Sequence, residues 1–183
     1  MTWPPGNQIL IDTNIFKHLC DKDEKFNPDG NVDRLLSGLM GISCRLLVDD
    51  QGLFRREFKE IVGPLFKKEF ELEREVYLLR YWSHIDNQVE CEIAVSRELI
   101  NVIKDVIIEK ERIDIAFVYI ALSRGRVLVS NDADHIVLGP PSKKHKDGDR
   151  RTRLKKSAKR YSEKGCAILF SREALGYLEE SSA

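Results

Sequence analysis

No stretch of this chain is apolar for long enough to span a membrane. The longest apolar run, Ile115 to Leu122, falls far short of the roughly 20 residues that a transmembrane helix requires. The first residues, Met1 to Gly6, contain no basic region followed by an apolar stretch, so no secretory leader is expected. Cysteine is sparse and scattered: Cys20, Cys44, Cys91 and Cys166 form no CxxC pair and no tight cluster. They read as free thiols in a reducing cytoplasm, which argues against a disulfide frame and against a zinc site. Net charge is absent as well. Thirty Lys and Arg balance thirty Asp and Glu, a balance that excludes a uniformly basic nucleic-acid coat and an acidic disordered tail. Internal repeats are lacking. The four histidines, His18, His84, His135 and His145, are dispersed, so no Ser/His or Cys/His pairing stands out. Only His135 lies near the acidic positions described below, and it reads as a loop residue.

What is present is a globular composition of one-domain size. The chain has 183 residues with 42% hydrophobic content, enough to bury a core without covalent staples. Charged residues make up 33% against about 25% in typical domains, so the surface is strongly ionic.

Apolar runs and helical stripes alternate along the chain. Gln8 to Ile11 reads as a buried strand ended by Asp12, and a helix then runs through Ile15, Phe16 and Leu19. Asp23 to Asn31 is polar and holds Pro28 and Gly30, as a loop would. Val32 to Leu39 reads as a short helix, Cys44 to Val48 as a strand, and Asp49 to Gly52 as a turn. Phe54 to Val62 has helical spacing and stops at Gly63-Pro64. Leu65 to Trp82 reads as a long core helix with a solvated face, with Phe66, Phe70, Tyr77 and Tyr81 on one apolar stripe and Leu65, Leu72, Val76 and Leu79 on its neighbour. Asn87 to Ala94 is a strand candidate, and Ser96 to Ile108 a helix capped by Ser96. Ile113 to Leu122 is apolar almost all round, as a helix deep in a core would be. Arg126 to Ser130 and Cys166 to Phe170 read as strands, and Ser171 as the cap of a last helix reaching about Glu180. Such alternation predicts an α/β fold with a mostly parallel sheet in a single domain over residues 1–183.

Sites in open parallel sheets form beyond the carboxyl ends of the strands, so acids at those ends matter most. Asp12 ends the first strand, Asp114 heads the buried helix, and Asp132 and Asp134 follow the strand after it. Each has a plainer role open to it: Asp12 and Asp114 as helix caps, Asp132 as turn chemistry. Together they would crowd like charges, which raises carboxyl pKa values unless a cation neutralises the group. Hard oxygen donors without His or Cys point to Mg²⁺ or Mn²⁺.

These residues resemble a known family. Ile9 to Ile15 is similar to the opening of a PIN-domain (PilT N-terminus-like) nuclease, Asp114 to Leu122 to its third-acid helix, and Val127 to His135 to the strand that carries its fourth acid. Leu47 to Phe58 resembles a segment of some PIN-like branches in which a strand and an Asp/Gly turn lead to a helix bearing the second acid. The resemblance implies a three-layer α/β/α domain and an acidic quartet of Asp12, Glu57, Asp114 and Asp132 as catalytic and metal-holding residues, with Asn14 and Asp134 in support. Glu60, Asp49 and Asp50 remain alternatives to Glu57, and the site would hold one or two metals. The implied activity is Mg²⁺- or Mn²⁺-dependent hydrolysis of RNA, or of another single-stranded nucleic acid, leaving a 5′-phosphate and a 3′-hydroxyl. Small members of the family act as toxins restrained by an antitoxin or in RNA processing, and many dimerise. Others keep the fold without the acids and serve as non-catalytic RNA-binding or protein-interaction modules. Leu46 to Asp50 is also similar to the acidic pair of a phospho-signalling receiver, but a strand already precedes it and no phospho-acceptor strand follows.

One composition shift remains. The insertion from Gly139 to Lys164 contains Lys143, Lys144, Lys146, Arg150, Arg151, Arg153, Lys155, Lys156, Lys159, Arg160 and Lys164 against Asp147, Asp149 and Glu163, a net charge of +8. The other 157 residues carry −8, so overall neutrality is the cancellation of two opposite regions. A basic segment directly after the fourth acid is placed to hold a phosphate backbone across the site, with Tyr161 available to stack on a base. It could equally dock an acidic protein partner such as an antitoxin.

Overall fold

The computed structural model describes residues 3–21, 30–64, 73–93, 112–131 and 167–182. A five-stranded parallel sheet lies at its centre, with strand order β3-β2-β1-β4-β5. The strands are β1 Gln8–Ile11, β2 Arg45–Asp49, β3 Gln88–Cys91, β4 Val127–Val129 and β5 Ala167–Leu169. Among the described residues there are six α-helices: α1 Thr13–Asp21, α2 Asn31–Gly41, α3 Leu53–Val62, α4 Glu73–Ser83, α5 Arg112–Arg124 and α6 Ser171–Ser182. The fold is α/β with a parallel sheet, as the alternation of elements predicts, in a three-layer α/β/α arrangement, and no described helix is long and apolar enough to cross a membrane.

The layering follows from chain direction. β1 leads to β2 and then β3 on one side, whereas β4 returns to the far side of β1. α1 packs with α2, α3 and α4, and α6 packs on α2, while α5 lies along β2 and β4 and also meets α3. The central strands β1 and β4 are covered on both faces and are almost wholly buried, which explains their continuous apolar sequences. Ala116 to Leu122 of α5 is likewise buried throughout. An aromatic cluster joins α1, α3 and α5: the Phe54 ring lies 6.3 Å from Phe16, 5.5 Å from Phe58 and 6.0 Å from Phe117.

The turn after β2 depends on one glycine. Gly52 has φ 73° and leads directly into α3, a left-handed conformation that costs glycine nothing. Asp49 then holds the start of that helix, accepting 2.7 Å hydrogen bonds from the N–H groups of Leu53 and Phe54.

Three sequence expectations are corrected. Tyr77 is 60% exposed; the buried face of α4 runs through Val76, Leu79 and Trp82, because that is the side turned to α1 and α2. Ser171 is the first residue of α6 and not its cap. The carboxylate of Glu173 accepts the Phe170 N–H at 2.9 Å instead, the reach-back half of a capping box. Asp114 is the third residue of α5, not the residue ahead of it, so it is not the N-cap of that helix as described. The loop at residues 23–29, the first part of the long helix at 65–72, the helix at 96–108 and the basic insertion at 139–164 lie outside the described residues.

Candidate functional site

The strand order reverses between β1 and β4, and the crevice beyond the carboxyl ends at such a reversal is where open α/β sheets bind ligands. Asp12 leaves β1 at this point, and Ser130 and Asn131 leave β4. The backbone stitches the two ends together, since the Asp12 N–H donates to the Val129 carbonyl at 2.9 Å. Asp12 is buried, only 2% exposed, and a buried carboxylate must have its oxygens satisfied.

Both oxygens have partners. Oδ1 accepts the Asn14 N–H at 3.1 Å, the usual N-cap bond at the start of a helix. Oδ2 accepts the Ser130 hydroxyl at 2.5 Å. The capping role open to Asp12 is therefore real, but it uses one oxygen only. The other is tied to a residue 118 positions away, at the end of the neighbouring strand.

Thr13 makes the next link. Its buried hydroxyl lies 2.8 Å from Oε2 of Glu57 and 3.3 Å from Oδ1 of Asp12. A hydroxyl has one proton to donate, and the shorter distance directs it to Glu57. Two carboxylates, 45 positions apart in the chain, thus face the same hydroxyl at the switch point.

Among the alternatives to Glu57, Asp49 is committed to α3 through both oxygens. Asp50 is exposed and accepts the Ile93 N–H at 3.3 Å. Glu60 is exposed too. Glu57 is half-buried and is the one of the four joined to Thr13.

The remaining predicted residues are placed unevenly. Asn14 meets Asp12 through its backbone N–H. The backbone of Asp114 is in the first turn of α5. That helix runs down into the amino end of β4, so its start lies toward the carboxyl edge of the sheet; the Asp114 side chain lies outside the described residues. Asp132 and Asp134 lie outside them as well, as do Lys143, Lys144, Lys146, Arg150, Arg151, Arg153, Lys155 and Lys156. Among the described residues, no three His, Cys, Asp or Glu side chains gather as a metal-holding group.

Sequence reading missed four residues here. Thr13 adjoins Asp12, so its hydroxyl could have been noticed there; Ser130 bonds Asp12 from 118 positions away, which nothing local signals. Asn131 and His18 were not foreseen. The statement that only His135 lies near the site is corrected: His18 Nδ1 is 3.4 Å from Asn131 Nδ2. The available signal was helical spacing, because His18 follows Asn14 by one turn of α1 and shares its face.

The pair Asp12 and Glu57 offers hard oxygen donors, and Mg²⁺ is commonly held by one or two carboxylates with water and phosphate completing its shell. The donor chemistry of this corner therefore fits Mg²⁺ or Mn²⁺. The buried thiols are not part of it: burial pushes Cys44 up to about 12 and also raises Cys91, and both are free. No known protein family, no curated protein and no solved structure matches the chain.

Proposed function

We propose that this chain is a metal-dependent nuclease that hydrolyses phosphodiester bonds in RNA, working in the reducing cytoplasm to which its scattered cysteines point. The observation that carries the reading is the meeting of Asp12 and Glu57 on the Thr13 hydroxyl at the switch point of a parallel sheet. Two like charges brought together cost energy unless they serve a cation or a proton. The resemblance to PIN-domain nucleases supplies Asp114 and Asp132 as the other carboxylates.

In this reading Asp12 and Glu57 hold Mg²⁺ or Mn²⁺ together with Asp114 and Asp132. A bound divalent ion supplies charge neutralisation at phosphate and a lower pKa for water. The chain's own residues provide rigidity. Ser130 and the Asn14 N–H fix the Asp12 carboxylate between them, and Thr13 orients Glu57. The basic insertion from Gly139 to Lys164 grips the phosphate backbone across the acids. A restraining antitoxin or other acidic partner would compete for that same basic segment, and a homodimer is part of what the resemblance implies.

The decisive assay incubates RNA and single-stranded DNA with the purified chain, with and without Mn²⁺, beside Asp12→Asn. Cleavage by the wild type that needs Mn²⁺ and vanishes in Asp12→Asn supports the nuclease. Binding without cleavage would select the non-catalytic RNA-binding module. Cleavage retained in both Asp12→Asn and Asp114→Asn would overturn the site. Growth arrest on expression, relieved by Asp12→Asn, would favour the toxin role.

A further inference from the structure

β4 ends at Val129, and the two residues that follow are both buried. Ser130 donates its backbone N–H to the Leu169 carbonyl at 3.0 Å and its hydroxyl to Asp12. The side chain of Asn131 is held on both ends. Its Oδ1 accepts the Ser171 N–H at 3.1 Å, satisfying one of the donors that the first turn of α6 leaves without a helical partner.

That bond fixes the amide's orientation, because an N–H cannot pair with an NH₂ group. Nδ2 must therefore be the end facing His18, 3.4 Å from Nδ1. An amide NH₂ has hydrogens and no acceptor capacity, so Nδ1 of His18 is the accepting nitrogen. The end of β4 is thus clamped to α1 twice, at Asp12 through Ser130 and at His18 through Asn131, and to α6 once. The next residue in the chain is Asp132.

We infer that Asn131, oriented by Ser171 and His18, is a positioning residue for the metal-binding acids. The inference rests on the nuclease reading above. Asn131 touches neither metal nor RNA in this account. It fixes the end of β4 against α1 and α6, directly after Ser130, whose hydroxyl holds Asp12. Partners that orient metal ligands from behind typically govern affinity by 10–100-fold.

The experiment follows the melting temperature of the full chain through a Mn²⁺ titration in wild type, Asn131→Leu, His18→Leu and His18→Asn. The last variant keeps an acceptor close to the position of Nδ1. Expected is a wild-type rise with Mn²⁺ whose midpoint moves up at least about tenfold in Asn131→Leu and His18→Leu and returns to near the wild-type value in His18→Asn. A purely structural clamp would lower the metal-free melting temperature and leave the Mn²⁺ midpoint in place, which would overturn the inference alone. A wild type that ignores Mn²⁺ would overturn the nuclease reading and the inference with it. If Asn131→Leu does not fold, the two His18 variants decide the matter by the same criterion.

Discussion

Asp12→Asn tests the metal-site reading most sharply, because the structure separates what the charge does from what the shape does. Asparagine caps a helix as well as aspartate does, so the bond from the Asn14 N–H survives. The Ser130 hydroxyl can rotate and accept from the new NH₂ group, since a hydroxyl both donates and accepts. What is lost is the charge on the acceptor of the Ser130 hydroxyl, about 1–2 kcal/mol. What is gained is relief from Glu57, which faces the same Thr13 hydroxyl: like charges that close repel by roughly 1–3 kcal/mol at an effective dielectric constant near 20. The terms nearly cancel, so without metal the variant should melt within about 4 °C of the wild type for a domain of this size.

Asp12→Ala should be about 2–4 kcal/mol less stable than Asp12→Asn, because it removes the cap and the buried Ser130 hydroxyl's bond to Asp12. Calorimetry with a Mn²⁺ titration reads both parts. At 100 times its dissociation constant the ion should stabilise the wild type by about 2.7 kcal/mol and the asparagine variant much less. A metal-free loss above about 3 kcal/mol in Asp12→Asn would show that the fold itself needs the charge. An equal Mn²⁺ response in both proteins would remove Asp12 from the metal site.

Further outcomes follow from the same contacts. Asp49→Ala should cost about 2–4 kcal/mol in chemical denaturation, because it strips two charge-assisted bonds from the start of α3. The Mn²⁺ midpoint should stay at the wild-type value, which separates this acid from Glu57. Cys44 and Cys91 should resist alkylation at pH 8 in the native protein and react on unfolding, as mass-spectrometric mapping would show. With the Cys44 thiol pushed from 9.0 to about 12, the unfolded chain ionises first, so this group's contribution to stability is complete below pH 9 and lost as pH rises toward 12. Neutralising Arg150, Arg151 and Arg153 together should weaken RNA binding and reduce the slope of log affinity against log salt by about 2. An unchanged slope would take the basic insertion out of the substrate path.

Much of this fold is legible along the chain. Strands that are buried on both faces must be continuously apolar, and the runs at Ile9 to Ile11 and Leu128 to Val129 announce β1 and β4 without ambiguity. Helical periodicity identifies α1, α2, α3 and α5 for the same reason: burial on one or all sides leaves a pattern. Tyr77 shows the limit of that logic. An aromatic stripe marks a face without saying what it packs against; of the two stripes read there, the tertiary arrangement buries Val76 and Leu79, with Trp82, and leaves Tyr77 exposed. The Ser171 cap fails for another reason: the helix begins one residue earlier than the serine suggests, with Phe170 at the cap and Glu173 reaching back to its N–H.

Composition, periodicity and the acids at strand ends thus determined the α/β class, the parallel sheet and Asp12 as a residue to watch, because each rests on local chemistry. The choice of Glu57 over Glu60, Asp49 and Asp50 as the partner of Thr13 came only from the tertiary structure, as did the clamp of Ser130, Asn131, His18 and Ser171. Those contacts join residues from distant parts of the chain, and nothing in their local patterns encodes which elements the sheet brings side by side. Strand order places β4 beside β1, which brings Ser130 to Asp12; the packing of α3 on α1 brings Glu57 to Thr13, and α6 meets Asn131.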